Sequence, residues 1–207
     1  MRNESKFWNR IARRYAKKPV PDAAAYAKKL ALTQHYLKPD QQIFEFGCGT
    51  GSTALEHAAK VSHVLATDIS PEMIKIAQEK AQAQGITNAE FAVATLADTA
   101  RGPAQFDVVL GLSILHLLAD REAAIREVYG LLKPGGIFVS NTACINDHMR
   151  WFKPIAWLGH AFGLLPLVKF FTSIELRQSL EQAGFVIEEV LHPSQNSAYF
   201  AIARKPA

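Results

Sequence analysis

Cysteine is scarce in this sequence of 207 residues, which has only Cys48 and Cys144. The two residues form no spacing pattern for a metal site or a disulfide framework, which excludes the zinc-binding and disulfide-stapled classes. The N-terminus is charged, and no apolar segment there precedes a small-residue cleavage site. We therefore expect a cytoplasmic protein with free thiols and no bound metal.

A membrane-spanning helix is also missing from the pattern. The most apolar stretch, Trp151–Phe171, has lysine only at positions 153 and 169, but it is short and is interrupted by Gly159 and Gly163. Its aromatic residues are consistent with a hydrophobic lid, an interfacial element or core packing over a sheet edge.

Basic charge is confined to one end of the chain. The formal net charge is +4, yet residues 1–29 alone carry nine Lys or Arg against two acidic residues. Because the remainder is slightly acidic and has no Asn-Pro-Pro-Tyr or Asp-Pro-Pro-Tyr motif, nucleic acid is disfavoured as a substrate. In residues 6–18 the apolar and basic side chains take opposite faces of a helix. Such a helix is compatible with peripheral contact at an anionic inner-membrane surface, or with a solvated face on a helix that caps a ligand.

Short apolar runs alternate with helical stretches from residue 42 onwards. Continuous apolar runs are typical of a parallel sheet covered by helices on both faces. Strands are predicted at Gln42–Phe46, His63–Thr67, Ala89–Ala94, Phe106–Gly111 and Gly136–Asn141. Helices are predicted at Ser52–Lys60, Pro71–Gln84 and Arg121–Leu132, with Ser70 as a cap and with Gly85 and Gly135 where helices stop. This alternation predicts a doubly wound α/β fold that binds its ligand at the carboxyl ends of the strands.

The alternation ends after Asn141. Residues 143–172 form an insertion rich in Trp, Phe, Leu and Pro, and Thr172 with Glu175 makes a capping box for a helix that ends at Gly184. Two further strands, Phe185–Leu191 and Ala198–Arg204, complete a mostly parallel seven-stranded sheet. We expect a single domain over residues 1–207, with a helical cap (1–41), a core (42–142), the insertion (143–172) and a C-terminal segment (173–207).

The turn after the first strand carries three glycines, Gly47, Gly49 and Gly51. Glycine lets a backbone turn sharply and approach a ligand without interference from a Cβ atom. The spacing is G-x-G-x-G, whereas dinucleotide-binding proteins have G-x-G-x-x-G. This difference argues against a pyrophosphate ligand without excluding one.

Two carboxylates flank the glycine turn. Glu45 lies in a strand buried on both faces, so it belongs either to a structural ion pair or to a site for a cationic group such as an amino acid's ammonium. Asp68 ends the second strand, where nucleotide-binding α/β folds place a carboxylate that accepts hydrogen bonds from ribose hydroxyls. Alternatively, Asp68 only stabilises the N-terminus of the following helix.

The run from Phe44 to Gly51 resembles the first motif of class I S-adenosylmethionine-dependent methyltransferases. The closest likeness is to the group that includes ubiquinone- and menaquinone-biosynthesis methyltransferases. Further matches follow in the family's order: Asp68-Ile69-Ser70 with Met73, Phe106-Asp107-Val108-Val109, Leu115-His116 and Leu131-Leu132-Lys133-Pro134-Gly135-Gly136. The resemblance covers about residues 7–142 and, weakly, Ser173–Phe185. It is specific for the superfamily but says little about the substrate.

This resemblance implies a Rossmann-like sheet, S-adenosylmethionine as the cofactor and a role for each matched residue. Glu45 would bind the methionine ammonium, and Asp68 would accept hydrogen bonds from both ribose hydroxyls. The implied contacts of the methionine portion are Gly47, Cys48, Gly49, Gly51, Gly111 and Leu112, those of the adenine are Ile69 and Met73, and Tyr15 would close over the cofactor from an N-terminal helix.

One position departs from the family pattern. Family members often have Gly-Asp after the third strand, with the aspartate accepting a hydrogen bond from the adenine amino group. This chain has Ala94-Thr95 there. Adenine recognition is therefore expected to use Thr95 and backbone groups near Leu96, with the neighbouring Asp98 as the alternative.

The acceptor side is less defined. Methyl transfer from a sulfonium is an in-line displacement that alignment and desolvation can accelerate, and a base is needed only when the acceptor must lose a proton. His116 is the candidate base or pocket residue. Further acceptor-side candidates, without a motif, are His148, Trp151, Trp157 and Phe162.

These features together predict a methyltransferase acting on a small lipophilic or aromatic acceptor. Two alternatives remain, namely a nicotinamide-dependent oxidoreductase on a similar fold and a non-enzymatic module that binds the cofactor or nucleic acid. The oligomeric state has no signature in the sequence.

Overall fold

The computed structural model describes residues 2–100, 105–191 and 198–207. Its strands are β1 (Gln42–Phe46), β2 (His63–Asp68), β3 (Ala89–Val93), β4 (Phe106–Leu112), β5 (Leu132–Thr142), β6 (Val186–Leu191) and β7 (Tyr199–Arg204). They form one seven-stranded sheet in the order β3-β2-β1-β4-β5-β7-β6. The sheet is mostly parallel, and only β7 runs antiparallel to its neighbours. The predicted α/β class is confirmed.

Eight helices are described in these ranges: α1 (Arg2–Ala16), α2 (Ala23–His35), α3 (Ser52–Ala58), α4 (Pro71–Ala83), α5 (Leu96–Thr99), α6 (Arg121–Leu131), α7 (Lys153–Ala161) and α8 (Ser173–Gln182). Short 3-10 turns occur at Leu115–Leu117, Ile145–Asp147 and Arg150–Phe152. The Ser70 cap of α4 and the Thr172 capping box of α8 are both formed. Within the described ranges, every helix is too short or too polar to cross a bilayer.

The chain divides into two compact units, Met1–Thr95 and Leu96–Ala207. In the first unit β1, β2 and β3 are parallel and in register, so their carboxyl ends lie along one edge of the sheet. Apolar side chains fill both sides of β1, because Ile43, Phe44 and Phe46 are all almost fully buried. This edge carries the glycine turn and Asp68. The expectation of a single domain remains a prediction.

In the second unit β4 pairs with β5, and β7 lies between β5 and β6. The prediction that Gly135 stops a helix is wrong. Helix α6 ends at Leu131, the next residue is already extended, and Gly135 lies inside β5 with a φ of 78°. The register of β4 with β5 shifts at this point, so residues 133–136 bulge out of the ladder. The bulge needs a glycine at 136, where a Cβ would lie 2.9 Å from the Asp107 carbonyl oxygen.

Candidate active site

The glycine turn of the first unit is tightly built. All three glycines have positive φ, at 65° for Gly47, 55° for Gly49 and 72° for Gly51, a conformation that other residues adopt only with strain. The Cys48 N–H donates to the Thr67 carbonyl at 2.9 Å, which ties the turn to β2. Gly51 also has no room for a side chain, whereas a Cβ on Gly49 would meet only Tyr15, at 3.9 Å. The turn at Gly49 therefore has room for a ligand group, and Tyr15 borders that space.

Glu45 is a buried carboxyl group without a full set of partners. Its side chain is 3% exposed, and Oε2 has no hydrogen-bond partner among the described residues. Burial, followed by the nearby Asp68 carboxylate, raises the pKa of Glu45 to about 8. A cation placed against Oε2 would remove this penalty, so the residue fits the ammonium group of the predicted cofactor. The alternative interpretation was a structural ion pair, and none is found for Glu45 among the residues that the structure describes.

Asp68 is held rigidly at the end of β2. Its Oδ2 accepts from the Gly49 N–H at 3.0 Å, and its Oδ1 accepts from the Ser70 N–H at 2.9 Å. Burial raises the pKa of Asp68, and the N–H groups of Ser70 and Gly49 oppose that rise. Each carboxylate oxygen can accept a second hydrogen bond, so both remain competent to bind a diol. The Ser70 contact lies at the start of α4, and binding of a ribose by Asp68 stays a prediction.

Helix α1 lies against this part of the first unit. The Ser5 hydroxyl donates to the Ile69 carbonyl at 2.9 Å, and Asn9 Oδ1 accepts from the Ser70 hydroxyl at 2.6 Å. Tyr15, on the next turns of the helix, is about half exposed, at 48%. Partial burial, then Asp68 and Glu45, raise the pKa of its hydroxyl. Tyr15 therefore lies close enough to both carboxylates to be affected by their charge, and its closing over the cofactor stays a prediction.

Sequence reasoning missed Asn9 and Lys80. The Lys80 ammonium donates to the Thr50 carbonyl at 3.1 Å, to the Thr50 hydroxyl at 2.9 Å and to the Ser52 hydroxyl at 2.9 Å. These contacts fasten the end of the glycine turn to α4. Burial lowers the pKa of Lys80. No local sequence signal marks either residue, because their partners lie 61 and 30 residues away.

The predicted adenine contacts differ in accessibility. Ile69 and Thr95 are partly exposed, whereas Met73 is 2% exposed and Leu96 is 8% exposed. Leu96 begins α5, a helix that was not predicted. In the glycine turn, burial raises the pKa of the Cys48 thiol well above its usual value, which argues against a nucleophilic thiolate there. The roles of these residues toward a ligand stay predictions.

In the second unit, β4 ends at Leu112, one residue beyond its predicted end at Gly111. The following residue, Ser113, has a φ of 58°, and it is the single described non-glycine residue with a positive φ. Its N–H donates to the Asn141 carbonyl at 2.6 Å, which ties the end of β4 to β5. Strain of this kind in a non-glycine residue is common at functional sites.

His116 lies in the 3-10 turn just after this point. Its Nδ1 is buried and has no hydrogen-bond partner among the described residues. Burial lowers the pKa of His116 to about 4, so the imidazole is neutral near pH 7. Its carbonyl oxygen accepts from the Lys169 N–H at 2.8 Å, which brings the end of the insertion beside it. A neutral imidazole can accept a hydrogen bond, but a pKa near 4 makes it a weak base.

The other acceptor-side candidates lie at the surface. Trp151 is 66% exposed, Trp157 is 70% exposed and Phe162 is 76% exposed, and His148 is exposed as well. An apolar groove of about 380 Å³ lies beside α7, lined by Ile155, Leu158, Gly159, Phe162, Leu164 and Leu165.

Comparison with known proteins shows that the chain is similar to methyltransferases. Residues 43–136 match the model of a methyltransferase domain. The ubiquinone biosynthesis O-methyltransferase of Xanthomonas euvesicatoria is 33% identical over 80% of this chain and 76% of its own length. The protein of the same name from a Methylobacterium species is 26% identical over 84% of this chain and 75% of its own length. Other relatives of that name are covered over only 59% to 62% of their length.

Solved structures agree on the fold. A SAM-dependent methyltransferase from Methanosarcina mazei superposes with a TM-score of 0.68 at 24% identity, covering 84% of this chain and 97% of that chain. The [4+2]-cyclase SpnF superposes with a TM-score of 0.73 at 18% identity, covering 92% of this chain and 85% of that chain. Because one of these proteins is described as a cyclase, the fold alone leaves the reaction open.

Proposed function

Because this chain belongs to the class I S-adenosylmethionine-dependent methyltransferases, we propose that it transfers a methyl group to a hydroxyl oxygen of a small, lipophilic aromatic acceptor. S-adenosylmethionine is its cofactor. The relatives named ubiquinone biosynthesis O-methyltransferase support both the oxygen and the aromatic ring. Nothing in the comparisons supports a nicotinamide-dependent oxidoreductase or a non-enzymatic module.

The single observation that carries the cofactor site is the unpaired Oε2 of buried Glu45. A carboxyl oxygen that is buried in a strand core without a partner is costly, which is a physical reason to expect a ligand group there. In the proposal this oxygen accepts from the methionine ammonium. The glycine turn lines the methionine chain, because a backbone without Cβ atoms lets the cofactor approach closely.

Asp68 binds the ribose in the proposal, and Tyr15 covers the cofactor from α1. The backbone N–H groups of Gly49 and Ser70 fix the carboxylate, so it is preorganised for the two hydroxyls. Ile69, which is partly exposed next to Asp68, offers the apolar surface for the adenine. Met73 is the second residue we assign to the adenine, and Thr95 offers its hydroxyl group to the adenine edge.

When bound, the cofactor would supply an electrophilic methyl group to the acceptor oxygen, with S-adenosylhomocysteine as the leaving group and the hydroxyl proton passing to solvent. His116 is the side chain we assign to the acceptor. Its neutral imidazole accepts a hydrogen bond from the acceptor hydroxyl and orients the oxygen. Orientation of this kind provides most of the acceleration available to an in-line displacement.

Contact with an anionic membrane surface is the last part of the proposal. Helix α1 exposes Arg10, Arg13 and Arg14, and the exposed Lys17 and Lys18 follow. Such a basic face attracts anionic lipid headgroups over a distance of about 10 Å at 0.1 M salt. A lipophilic acceptor dissolved in the bilayer would then be within reach of the enzyme.

Calorimetry with S-adenosylhomocysteine tests the cofactor site. Asp68→Ala should weaken binding by roughly 2–3 kcal/mol, because two hydrogen bonds to a carboxylate are lost. Asp120→Ala is the matched control, because Asp120 also caps a helix, accepting from the Ala123 N–H at 2.8 Å, but lies outside the proposed site. Equal affinities in the two variants would remove Asp68 from the site.

A radiolabelled methyl assay tests the acceptor. Catechols with alkyl chains of increasing length should be methylated on oxygen, and kcat/KM should rise with chain length because more apolar surface is buried. Transfer to RNA or to an amine, with no transfer to any catechol, would overturn the proposed acceptor class.

A further inference from the structure

Polar side chains are rare in the segment where β4 ends and the next turn begins. From Val109 to Leu118 every residue is apolar or glycine except Ser113 and His116. Sites for small molecules are mostly apolar and contain a few polar groups that fix the orientation of the ligand. The proposed function uses His116, which leaves Ser113 as the second polar side chain of this segment and without a role.

Ser113 has a backbone conformation that serine adopts only at a cost. Its φ of 58° lies in the left-handed region, where a Cβ atom crowds the carbonyl oxygen and glycine is free of that clash. The Ser113 N–H donates to the Asn141 carbonyl at 2.6 Å, so the pairing of β4 with β5 holds this conformation in place. A glycine at position 113 would make the same hydrogen bond without the strain. The backbone therefore gives no reason for a serine side chain here.

Asn141 orients the Ser113 hydroxyl. Successive side chains of a strand point to opposite faces, and the buried hydroxyls of Ser140 and Thr142 on β5 share a hydrogen bond of 3.0 Å. Asn141, between them, takes the other face, where its Nδ2 donates to Ser113 Oγ in a long contact of 3.5 Å. A hydroxyl oxygen that accepts from an amide still has its own proton to donate. Ser113 therefore presents an O–H donor beside the end of β5.

The Ser113 hydroxyl is accessible to a ligand. Ser113 is exposed and His116 is partly exposed, whereas Leu115 between them is fully buried. The Leu117 N–H donates to the Ile114 carbonyl at 2.8 Å, which closes the short turn that follows Ser113 and carries His116. Three residues of chain span about 10 Å at most, so one small aromatic molecule can reach both side chains.

We propose that the Ser113 hydroxyl donates a hydrogen bond to a second oxygen of the acceptor, next to the hydroxyl that His116 orients for methylation. Asn141 is the positioning residue for this donor. The inference rests on the proposed function, because it requires an aromatic acceptor that is methylated on oxygen. An acceptor with a single oxygen leaves the Ser113 donor against an apolar ring, so Ser113 determines specificity. This use explains why a strained serine stands where glycine would be more stable.

Relative kcat/KM values test the role. The two probes are an alkylcatechol and the matching alkylphenol, which lacks the second hydroxyl. Ser113→Ala and Ser113→Gly both remove the donor, and each should lower the ratio of the catechol value to the phenol value by about fivefold or more. Comparing this ratio between proteins cancels the intrinsic difference in reactivity of the two probes. Ser62→Ala, at another exposed serine, is the matched control and should leave the ratio unchanged.

Thermal unfolding separates this role from a structural one. Ser113→Gly relieves the left-handed strain, so its melting temperature should rise by about 2–4 °C while its preference for the catechol falls. Ser113→Ala keeps the strain, so its preference should fall without that rise. Asn141→Ala should lower the preference by less, because the donor remains and loses only its orientation. Affinity for S-adenosylhomocysteine should stay at the wild-type value in all three variants.

Three outcomes would overturn the inference. A full preference for the catechol in Ser113→Gly would show that the acceptor does not meet the hydroxyl. An equal loss of activity toward both probes, or a lower melting temperature in Ser113→Gly, would give Ser113 a structural role. A wild type that binds S-adenosylhomocysteine but methylates neither probe would remove the proposed acceptor class and this inference with it, whereas methylation with unchanged ratios removes the inference alone.

Discussion

Burial of the Glu45 carboxyl group disfavours its charged form in the folded protein, and the same buried oxygen is the one we propose for binding a cation. Its carboxyl group is buried in β1, and its pKa of about 8 means that it is mostly protonated near pH 7 in the free protein. An ammonium group against Oε2 favours the ionised form, so binding must expel the proton. Cofactor affinity and the charge of Glu45 are therefore coupled.

This coupling predicts proton release. At pH 7, binding of S-adenosylhomocysteine should release close to one proton, because Glu45 changes from mostly protonated to ionised. Calorimetry in buffers with different ionisation enthalpies measures the number directly. Glu45→Gln should abolish the release and weaken binding, while Glu56→Gln, at an exposed position on α3, should leave both unchanged. Release that persists in Glu45→Gln would assign the proton to another group.

The sequence indicates some site residues and not others for a physical reason. Glu45 and Asp68 lie at strand positions that the apolar pattern locates, so their burial and their shared edge could be predicted. Asn9 and Lys80 act through contacts with residues far away in the chain. Such contacts depend on how helices pack, which a local pattern does not contain.

At the scale of elements, the glycine turn and α4 depend on each other. A Cβ on Gly51 would lie 2.6 Å from Phe91 Cε1 and 2.7 Å from Ala77 Cβ, so the turn packs directly on β3 and α4. Gly85, after α4, has a similar φ of 65° but nothing within 4 Å of a Cβ. Gly51 and Gly85 share the left-handed backbone conformation, and they differ in the space available for a Cβ atom.

Comparison of Gly51→Ala with Gly85→Ala therefore isolates packing. We expect Gly85→Ala to lower the free energy of unfolding by roughly 1–2 kcal/mol, from left-handed backbone strain alone. Gly51→Ala should cost about 1–3 kcal/mol more, because the side chain overpacks the core. Urea unfolding measures both values. If both variants lost the same free energy of unfolding, Phe91 and Ala77 would be able to move away from the new side chain at no measurable cost.

Helices with local signals were predicted well, and elements without them were not. Ser70 and Pro71 mark the start of α4, and Thr172 with Glu175 marks the start of α8, because capping uses neighbouring residues. Helix α5 has only four residues, too few for a periodic pattern. Strand β5 begins four residues before its predicted start, because residues 133–136 bulge out of the ladder and hide its first part.

At the scale of the whole molecule, continuous apolar strands alternating with helices were sufficient to predict a doubly wound sheet. The same pattern also indicated two closing strands. It does not contain the order of strands or the antiparallel direction of β7, which depend on pairing between distant segments. The pattern also does not indicate whether α7 is exposed, because an apolar segment can cover a core or face a partner.

Stability of the whole molecule should depend on pH through three buried groups. The pKa of Glu45 is raised from 4.5 to about 8, while the pKa values of His57 and His116 are lowered from 6.5 to about 4, in each case chiefly by burial. A raised carboxyl pKa gives stability that is present at low pH and lost as the pH rises through 8. A lowered histidine pKa gives stability that is present above 6.5 and lost as the pH falls through 4.

These opposite signs predict an optimum near pH 6.5 for the cofactor-free protein. Between pH 4.5 and 6.5 the unfolded state binds two more protons at the histidines and one fewer at Glu45, so stability rises with pH. From pH 6.5 to 8 only the Glu45 proton counts, and the free energy of unfolding should fall by about 1.4 kcal/mol per pH unit. Urea unfolding across this range should show the fall in the wild type and in Glu56→Gln, but not in Glu45→Gln. Parallel profiles for the wild type and Glu45→Gln would mean that Glu45 is ionised in the folded protein, and would remove the basis for proton release on binding.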